Sequence, residues 1–368
     1  MSPGTESQPT IERVDAEVYT VPTEQEEADG TLSWSSTTLV LARVSGGGNE
    51  GLGYTYGSAA AASLIGAELA EAVRGRCIFD VPTSWQAMQR CVRNIGRSGV
   101  AANAISALDM ALWDLKARLL QQPLAMVLGR CRDSVPVYGS GGFTNYSDSK
   151  LREQLHAWVD RDGCQWVKMK VGSDASRDPH RVRTAREVVG EAGLFVDANG
   201  AYGTKQALSL AASFADCNVS WFEEPVSSDD LRGLHFVREH APARMEIAAG
   251  EYGYTLDYFR CMLESGAVDV QQIDVTRCGG ITAFLRAAAL CEASHIDCST
   301  HCAPAAHLHV ACAAPGLRHM EWFHDHVLIE QRFFDGAPEV RAGRIQPDLS
   351  RPGIGLSFKH SDAKAYRI

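Results

Sequence analysis

Residues 166–171 read WVKMKV, an apolar run of strand length that carries two lysines, Lys168 and Lys170. Side chains two apart on a strand share a face, so both ammonium groups point the same way. Lysine is rarely buried without a partner, and that face must therefore hold opposite charge. Helical patterns lie on either side, SKLREQLHAWVDRDG before and DPHRVRTAREVVGEAG after. The same alternation continues outward. VPVYGSGG precedes it, and LFVDANGAY, VSWFEEP, MEIAAGEYGY, VDVQQIDVTRCGG, IDCSTHCAP and LRHMEWFHDH follow, separated by helical runs. Eight strand-like runs in units of roughly 25–30 residues, the size of a βαβ repeat, predict a closed α/β barrel over an open sheet. There is no GxGxxG after a strand and no Walker loop.

The 368 residues suffice for one large or two ordinary domains. A hydrophobic content of 45% with 22% charged residues is that of a soluble globular protein. No apolar run reaches the ~18 residues of a membrane span. The formal charge of -10, with both signs interspersed, argues against a nucleic-acid partner. The eleven cysteines form no CxxC pair and read as reduced, mostly core thiols, which points to the cytoplasm. Cys298 and Cys302 flank His301 but lack zinc-site spacing. MSPGTESQPT has no secretory character and reads as a short disordered tail.

Residues 1–134 differ from the repeat. IERVDAEVYTVP and TTLVLARVSG read as strands, followed by a Gly-rich turn and EGLGYTYG. Then come helical AASLIGAELAEAVRG, PTSWQAMQRCVRNIG and the long AANAISALDMALWDLKARLLQQPLAMVLG, together an α+β domain. The catalytic barrel is assigned to 135–330, and 331–368 to a segment that leaves the repeat and runs back toward the N-terminal domain.

Barrel enzymes work at the C-terminal ends of their strands. Those ends carry Lys168 and Lys170 on the second strand, Asp197 with Asn199 on the third, and Glu223 and Glu224 on the fourth. Glu251, Asp274, His301 and Glu321 follow on the fifth to eighth. Acids at strand ends commonly cap helices or pair with surface lysines. Three on consecutive strands surround a common point instead, and a hard divalent cation such as Mg²⁺ would offset their repulsion. Neighbours in WFEEP face opposite ways, so one glutamate alone is expected inward. Each lysine, next to the other and partly desolvated, is expected to have a lowered pKa and to approach a useful base. Asp274 beside His301 forms a dyad able to take or deliver a proton. Glu321 would donate a hydrogen bond in its acid form or fix the lysines as a carboxylate. The HLH pair His307 and His309 and the HDH pair His324 and His326 read as structural. Base, metal and opposed acid suit removal of a proton α to a carboxylate.

These residues resemble the mandelate racemase subgroup of the enolase superfamily. The matching motifs are KMK, VDANGAY, WFEEP, AAGE, DVTRCGGIT, STH and HMEW in order, with AISALDMALWDLKARLLQQPLAMVLG leading into the barrel. The superfamily pairs a Lys or His base with Mg²⁺. The resemblance implies a modified TIM barrel, (β/α)₇β, with an N-terminal α+β capping domain completed by the C-terminal segment. It implies Asp197, Glu223 and Glu251 as Mg²⁺ ligands, and Lys170 and His301, oriented by Asp274, as the acid/base pair. Lys168 would bind the substrate carboxylate and depress the pKa of Lys170, and Glu321 would be the hydrogen-bonding electrophile. The lactonising branch has a lysine in place of Asp274 and is disfavoured. A homo-oligomer is expected from the resemblance alone. Cap loops TEQEEADGTLSWSS and GYTYGSAA would set specificity, with Trp34, Tyr54, Tyr56 and Asn199 as candidate substrate contacts. The leading expectation is an acid-sugar dehydratase giving a 2-keto-3-deoxy acid. Racemisation or epimerisation of a 2-hydroxy acid comes second, and a catalytically silent metal-binding scaffold last.

Overall fold

In the computed structural model, which describes residues 8–368, the chain opens with an antiparallel sheet. Its strands are β1 (Arg13–Ala28), β2 (Ser33–Gly46) and β3 (Asn49–Tyr56), in that order. The alternation of β2 decides the layering. Val40, Ala42 and Val44 face the helical segment 60–73 and the helix Val100–Leu119, while Leu39 and Leu41 join the barrel's core. Backbone lies almost on backbone at β3, where a Cβ on Gly53 would stand 2.2 Å from the Ala107 carbonyl oxygen.

Three local expectations change. The stretch 23–36 is not a loop. β1 and β2 run through it with a register shift between Pro22 and Glu27, leaving only the turn Asp29–Leu32. Its polar composition hides a strand pair that is held by backbone bonds rather than by an apolar face. The long helix ends at Leu119, and a separate turn runs over Leu124–Leu128. Gln121 takes a φ of 53°, and Pro123 lacks a donor to continue the ladder. The tail expected at 1–10 lies partly outside the described residues. Within them, Pro9 accepts from Ile78 N at 3.0 Å and Thr10 bridges to Cys77.

The eight repeat strands are β4 (Val135–Gly141), β5 (Trp166–Lys170), β6 (Gly193–Asp197), β7 (Val219–Glu223), β8 (Glu246–Ala249), β9 (Val270–Ile273), β10 (Asp297–Thr300) and β11 (Met320–Phe323). They pair in parallel from β4 through β10, and β11 lies beside β4. The seam between β10 and β11 closes through a parallel bridge at Cys298 and Leu317. Inside the ring, Tyr138, Phe195, Trp221, Ala248 and Val270 form an apolar floor. The charged strand ends stand on it, while Val167 and Met169 of β5, and Val171 just past it, face the other way into the main core.

The C-terminal segment packs on the cap. Asp114, in the long cap helix, accepts from Ile354 N at 2.7 Å and Leu52 N at 2.8 Å. Ile368 N donates to Val18 O at 3.1 Å. All eleven cysteines are free thiols. No described helix is long and apolar enough to cross a membrane.

Candidate active site

Parity on β5 sends Trp166, Lys168 and Lys170 inward, and the ladders carry that layer round the ring. Lys170 pairs with Asp197 and Asp197 with Glu223 in register. Glu251 lies two residues past β8. One oxygen each from Asp197, Glu223 and Glu251 lies within 4.8 Å of the other two, and all three residues are buried. Glu251 Oε2 has no hydrogen-bond partner. An all-oxygen donor set with a free buried lone pair fits a hard divalent cation.

The face of WVKMKV is occupied by carboxylates. Lys168 Nζ lies 2.5 Å from Glu223 Oε1, 2.8 Å from Glu321 Oε1 and 3.6 Å from Asp197 Oδ2. It also stands 5.5 Å over the Tyr138 ring. Lys170 Nζ is paired with Asp197 Oδ2. The lowered lysine pKa values expected from the sequence are reversed. Burial alone would favour the neutral amines, but Glu223 and Glu321 around Lys168, and Asp197 beside Lys170, hold both ammonium groups well above the ordinary value. The acids respond in turn. Burial and the charge of Asp197 push Glu223 up, whereas Lys170 and Lys168 overcome burial to hold Asp197 below its usual range.

Asp274 follows β9 and His301 follows β10. Asp274 Oδ2 lies 2.7 Å from His301 Nδ1, and Oδ1 accepts from both Thr276 N and Thr276 Oγ1 at 2.7 Å. Burial would raise the carboxyl, but the hydrogen bond and charge of His301 hold it well below the carboxylate range. With Nδ1–H aimed at Asp274, Nε2 is the atom facing the cluster, 3.5 Å from Glu251 Oε2. Lys170 thus meets the carboxylates from the side of β6, and His301 from the side of β8. Glu321 accepts from Ser140 Oγ and Cys302 N, both at 2.6 Å. Burial works to protonate it, yet Lys168 holds its pKa well down. Of the two readings open for Glu321, the structure has the carboxylate that fixes a lysine.

Glu224 departs from expectation. The strand ends at Glu223, so alternation stops, and Glu224 turns through a φ of 38° and is buried as well. Burial and the charges of Glu251 and Asp197 push its carboxyl well above the usual range. With Asn199 and the cap residue Thr31 it lines a cavity of about 600 Å³ above β6–β8. A larger cavity of about 900 Å³ lies under the C-terminal segment and touches none of the ring.

Of the cap aromatics, Trp34 packs edge-on against Phe143, in a cluster with Cys302, and donates to Asp325 Oδ2 at 3.0 Å. Tyr56 stacks on His326 with ring centroids 3.5 Å apart, its hydroxyl unpartnered. Tyr54 is not at the mouth. It is fully buried, stacked on Phe334, and donates to Glu330 Oε1 at 2.6 Å. Tyr54 shares a strand face with Tyr56, so the sequence could not separate the two. His307 and His309 are structural, accepting from Val275 N and Ala125 N. His326 accepts from Ala303 N at 3.2 Å. Sequence reasoning missed Arg277, whose NH1 lies 3.4 Å from Glu251 Oε1 and whose Nε lies 3.6 Å from Asp274 Oδ2. Its spacing of three from Asp274 in DVTRCGG was the available signal. Ser140 had none.

A parallel barrel, a cap pinned over its mouth and a carboxylate cluster between lysine and histidine define a class of capped barrel proteins built for carbanion chemistry. Residues 15–129 match the model of the mandelate racemase/muconate lactonizing enzyme N-terminal domain, and residues 150–363 match the enolase C-terminal domain-like model. The chain belongs to this family, the mandelate racemase subgroup of the enolase superfamily. It is 33% identical to a 3,6-anhydro-alpha-L-galactonate cycloisomerase of Streptomyces coelicolor over 95% of this chain and 98% of that protein. A mandelate racemase/muconate lactonizing enzyme-like protein from Rubrobacter xylanophilus superposes with a TM-score of 0.95 at 49% identity, over 98% of this chain and 100% of that one. The L-talarate/galactarate dehydratase of Salmonella typhimurium is 31% identical over 88% of this chain and 81% of its own. A variant of that dehydratase, solved with Mg and L-glucarate, superposes with a TM-score of 0.91 at 27% identity, over 100% of this chain and 95% of that one.

Proposed function

We propose that this chain is a Mg²⁺-dependent acid-sugar dehydratase that removes the proton α to a carboxylate and releases the β-hydroxyl as water. The observation that carries this reading is the three-carboxylate cluster approached by Lys170 on one side and the His301–Asp274 dyad on another. The relatives named above, a cycloisomerase of an anhydro-galactonate and a dehydratase of L-talarate and galactarate, support the substrate class. Asp197, Glu223 and Glu251 would hold Mg²⁺, which when bound supplies the positive charge that stabilises an enediolate. Lys168, clamped by Glu321 and Glu223, adds positive charge beneath the substrate carboxylate. With Mg²⁺ drawing off the Asp197 charge that otherwise holds Lys170 protonated, Lys170 Nζ or His301 Nε2, according to the configuration at the α-carbon, would take the proton. The C–H electron pair passes toward the carboxylate as the enediolate, then returns to form the Cα=Cβ bond as the β C–O bond breaks. His301, as imidazolium, protonates the departing hydroxyl from Nε2, and the resulting enol tautomerises to the 2-keto-3-deoxy acid. Asp274 keeps the imidazole in that orientation. Asn199 and Glu224 line the cavity in which the sugar chain would lie.

The two proton carriers on separate strands also suit racemisation or epimerisation, in which one removes the proton and the other returns it. Incubating the purified protein with Mg²⁺ and a library of aldonic and aldaric acids, and assaying 2-keto acids, separates the two. A keto product is expected. Recovery of a stereoisomer alone would replace dehydration with epimerisation.

A further inference from the structure

A second group of ligand-type side chains lies where the cap meets the barrel, outside the ring. Glu27 stands near the end of β1, while His324 and Asp325 open the helix that follows β11. One donor atom from each lies within 4.8 Å of the other two. We propose that Glu27, His324 and Asp325 form a second metal site, selective for a divalent transition ion of the zinc class.

Glu27 is fully buried, and its Oε2 has no hydrogen-bond partner. Its other oxygen takes only a long bond from the Tyr146 hydroxyl, at 3.3 Å. His324 Nε2 is likewise unpartnered by hydrogen bonding, with Glu24 Oε2 3.7 Å away. Asp325 Oδ2 accepts from Trp34 Nε1, a neutral donor. The nearby lysine, Lys150, is engaged elsewhere. It donates to Gln25 Oε1 at 3.0 Å and lies 4.6 Å over the Tyr146 ring. Two enclosed carboxylates side by side are costly unless a cation or a proton comes between them. Burial, and after it the neighbouring Asp325, push the Glu27 carboxyl up to about 10. Burial also lowers the His324 pKa, keeping a neutral imidazole with a lone pair to offer.

The donor chemistry sets the metal. An imidazole with two carboxylates suits Zn²⁺ and its neighbours, whereas Mg²⁺ prefers oxygen alone. A small cavity of about 70 Å³ reaches Glu27, His324 and Asp325 and leaves room for a water ligand. Such an ion would join β1 to the end of β11 and fix the carboxylate on which Trp34 rests.

The full-length protein, stripped with a chelator and kept in excess Mg²⁺ to occupy the oxygen-only site, is titrated with zinc. Bound zinc and Tm are then measured. One zinc per chain and a raised Tm are expected. Glu27→Gln and His324→Ala should each weaken zinc binding at least tenfold and abolish the Tm rise, while Asp197→Asn keeps both. The proposal is overturned if no zinc binds in excess Mg²⁺, which leaves Glu27 and Asp325 sharing a proton. It is equally overturned if binding survives both substitutions, or if it is lost in Cys302→Ser instead.

Discussion

At the scale of single residues, Lys168 shows how charge is kept inside a barrel. It is fully buried yet meets Glu223, Glu321 and Asp197 at once. Removing one partner of a buried ion cluster leaves the others uncompensated, at a cost of ~3–5 kcal/mol. Lys168→Met should therefore lower the unfolding free energy of metal-free protein by about that amount in urea titration. Mg²⁺ should restore part of it, because a cation can take over the orphaned carboxylates. Asp274 acts through His301, and Asp274→Asn should cost roughly 10–100-fold in kcat with little change in Tm. A Tm loss matching the activity loss would make Asp274 merely structural. Much of this layer is legible in the sequence, because period-two lysines inside an apolar run require opposite charge on their face. What escapes is geometry beyond the strand ends. The positive φ that turns Glu224 inward and the reach of Arg277 across to Glu251 depend on loop conformation, which residue type does not encode.

Between elements, the cap is aimed by its hairpin turn. Asp29 Oδ1 accepts from Thr31 N at 2.6 Å and Leu32 N at 2.7 Å. Gly30 then sits directly on the barrel, where a Cβ would stand 2.3 Å from Ala198 O and 2.7 Å from Val171 O. Gly30→Ala should lift the tip off the ends of β5 and β6. The expected result is a loss of kcat/KM on the order of tenfold or more, with a change in Tm of only a few degrees. A normal kcat/KM would mean that the tip does not shape the site.

A second seam lies deeper, where Glu330 accepts from Tyr54 of the cap and from Ala305 N of the barrel at 3.0 Å. Burial raises the Glu330 pKa from 4.5 to about 8. A carboxyl raised in the folded state gives its full stabilisation below the unfolded pKa and loses it as pH climbs through the folded value. Wild-type Tm should therefore fall between about pH 4.5 and 8 more steeply than that of Glu330→Gln. Parallel slopes in calorimetric scans would contradict this. The sequence exposed the strands and helices of these elements but not their ends. The 23–36 stretch looks like a loop because its strand pairing rests on backbone bonds, and the apolar residues on both sides of Pro123 mask the helix end there.

Across the whole molecule, the repeat was the legible part. Eight strands at even spacing leave few ways to bury their apolar faces, and a ring with helices outside is the one adopted. That residues 331–368 leave the repeat and turn back toward the N-terminal domain is legible in the sequence, while their completion of the cap follows from the family resemblance alone. Their contacts mix polar bonds to Asp114 and β1 with scattered apolar ones, such as Phe358 packed on Tyr19, which no local pattern announces. In the proposed function, Lys170 and the His301–Asp274 dyad move the α-proton over a metal-binding carboxylate cluster. The most direct test is solvent deuterium incorporation at the α-carbon of an acid sugar that the keto-acid screen shows to be turned over, in D₂O with Mg²⁺. Wild type should incorporate label or give labelled product. Lys170→Ala and His301→Asn should each lose turnover by several orders of magnitude, with at least one of them abolishing exchange. Exchange and turnover unchanged in both variants would contradict the assignment of the site.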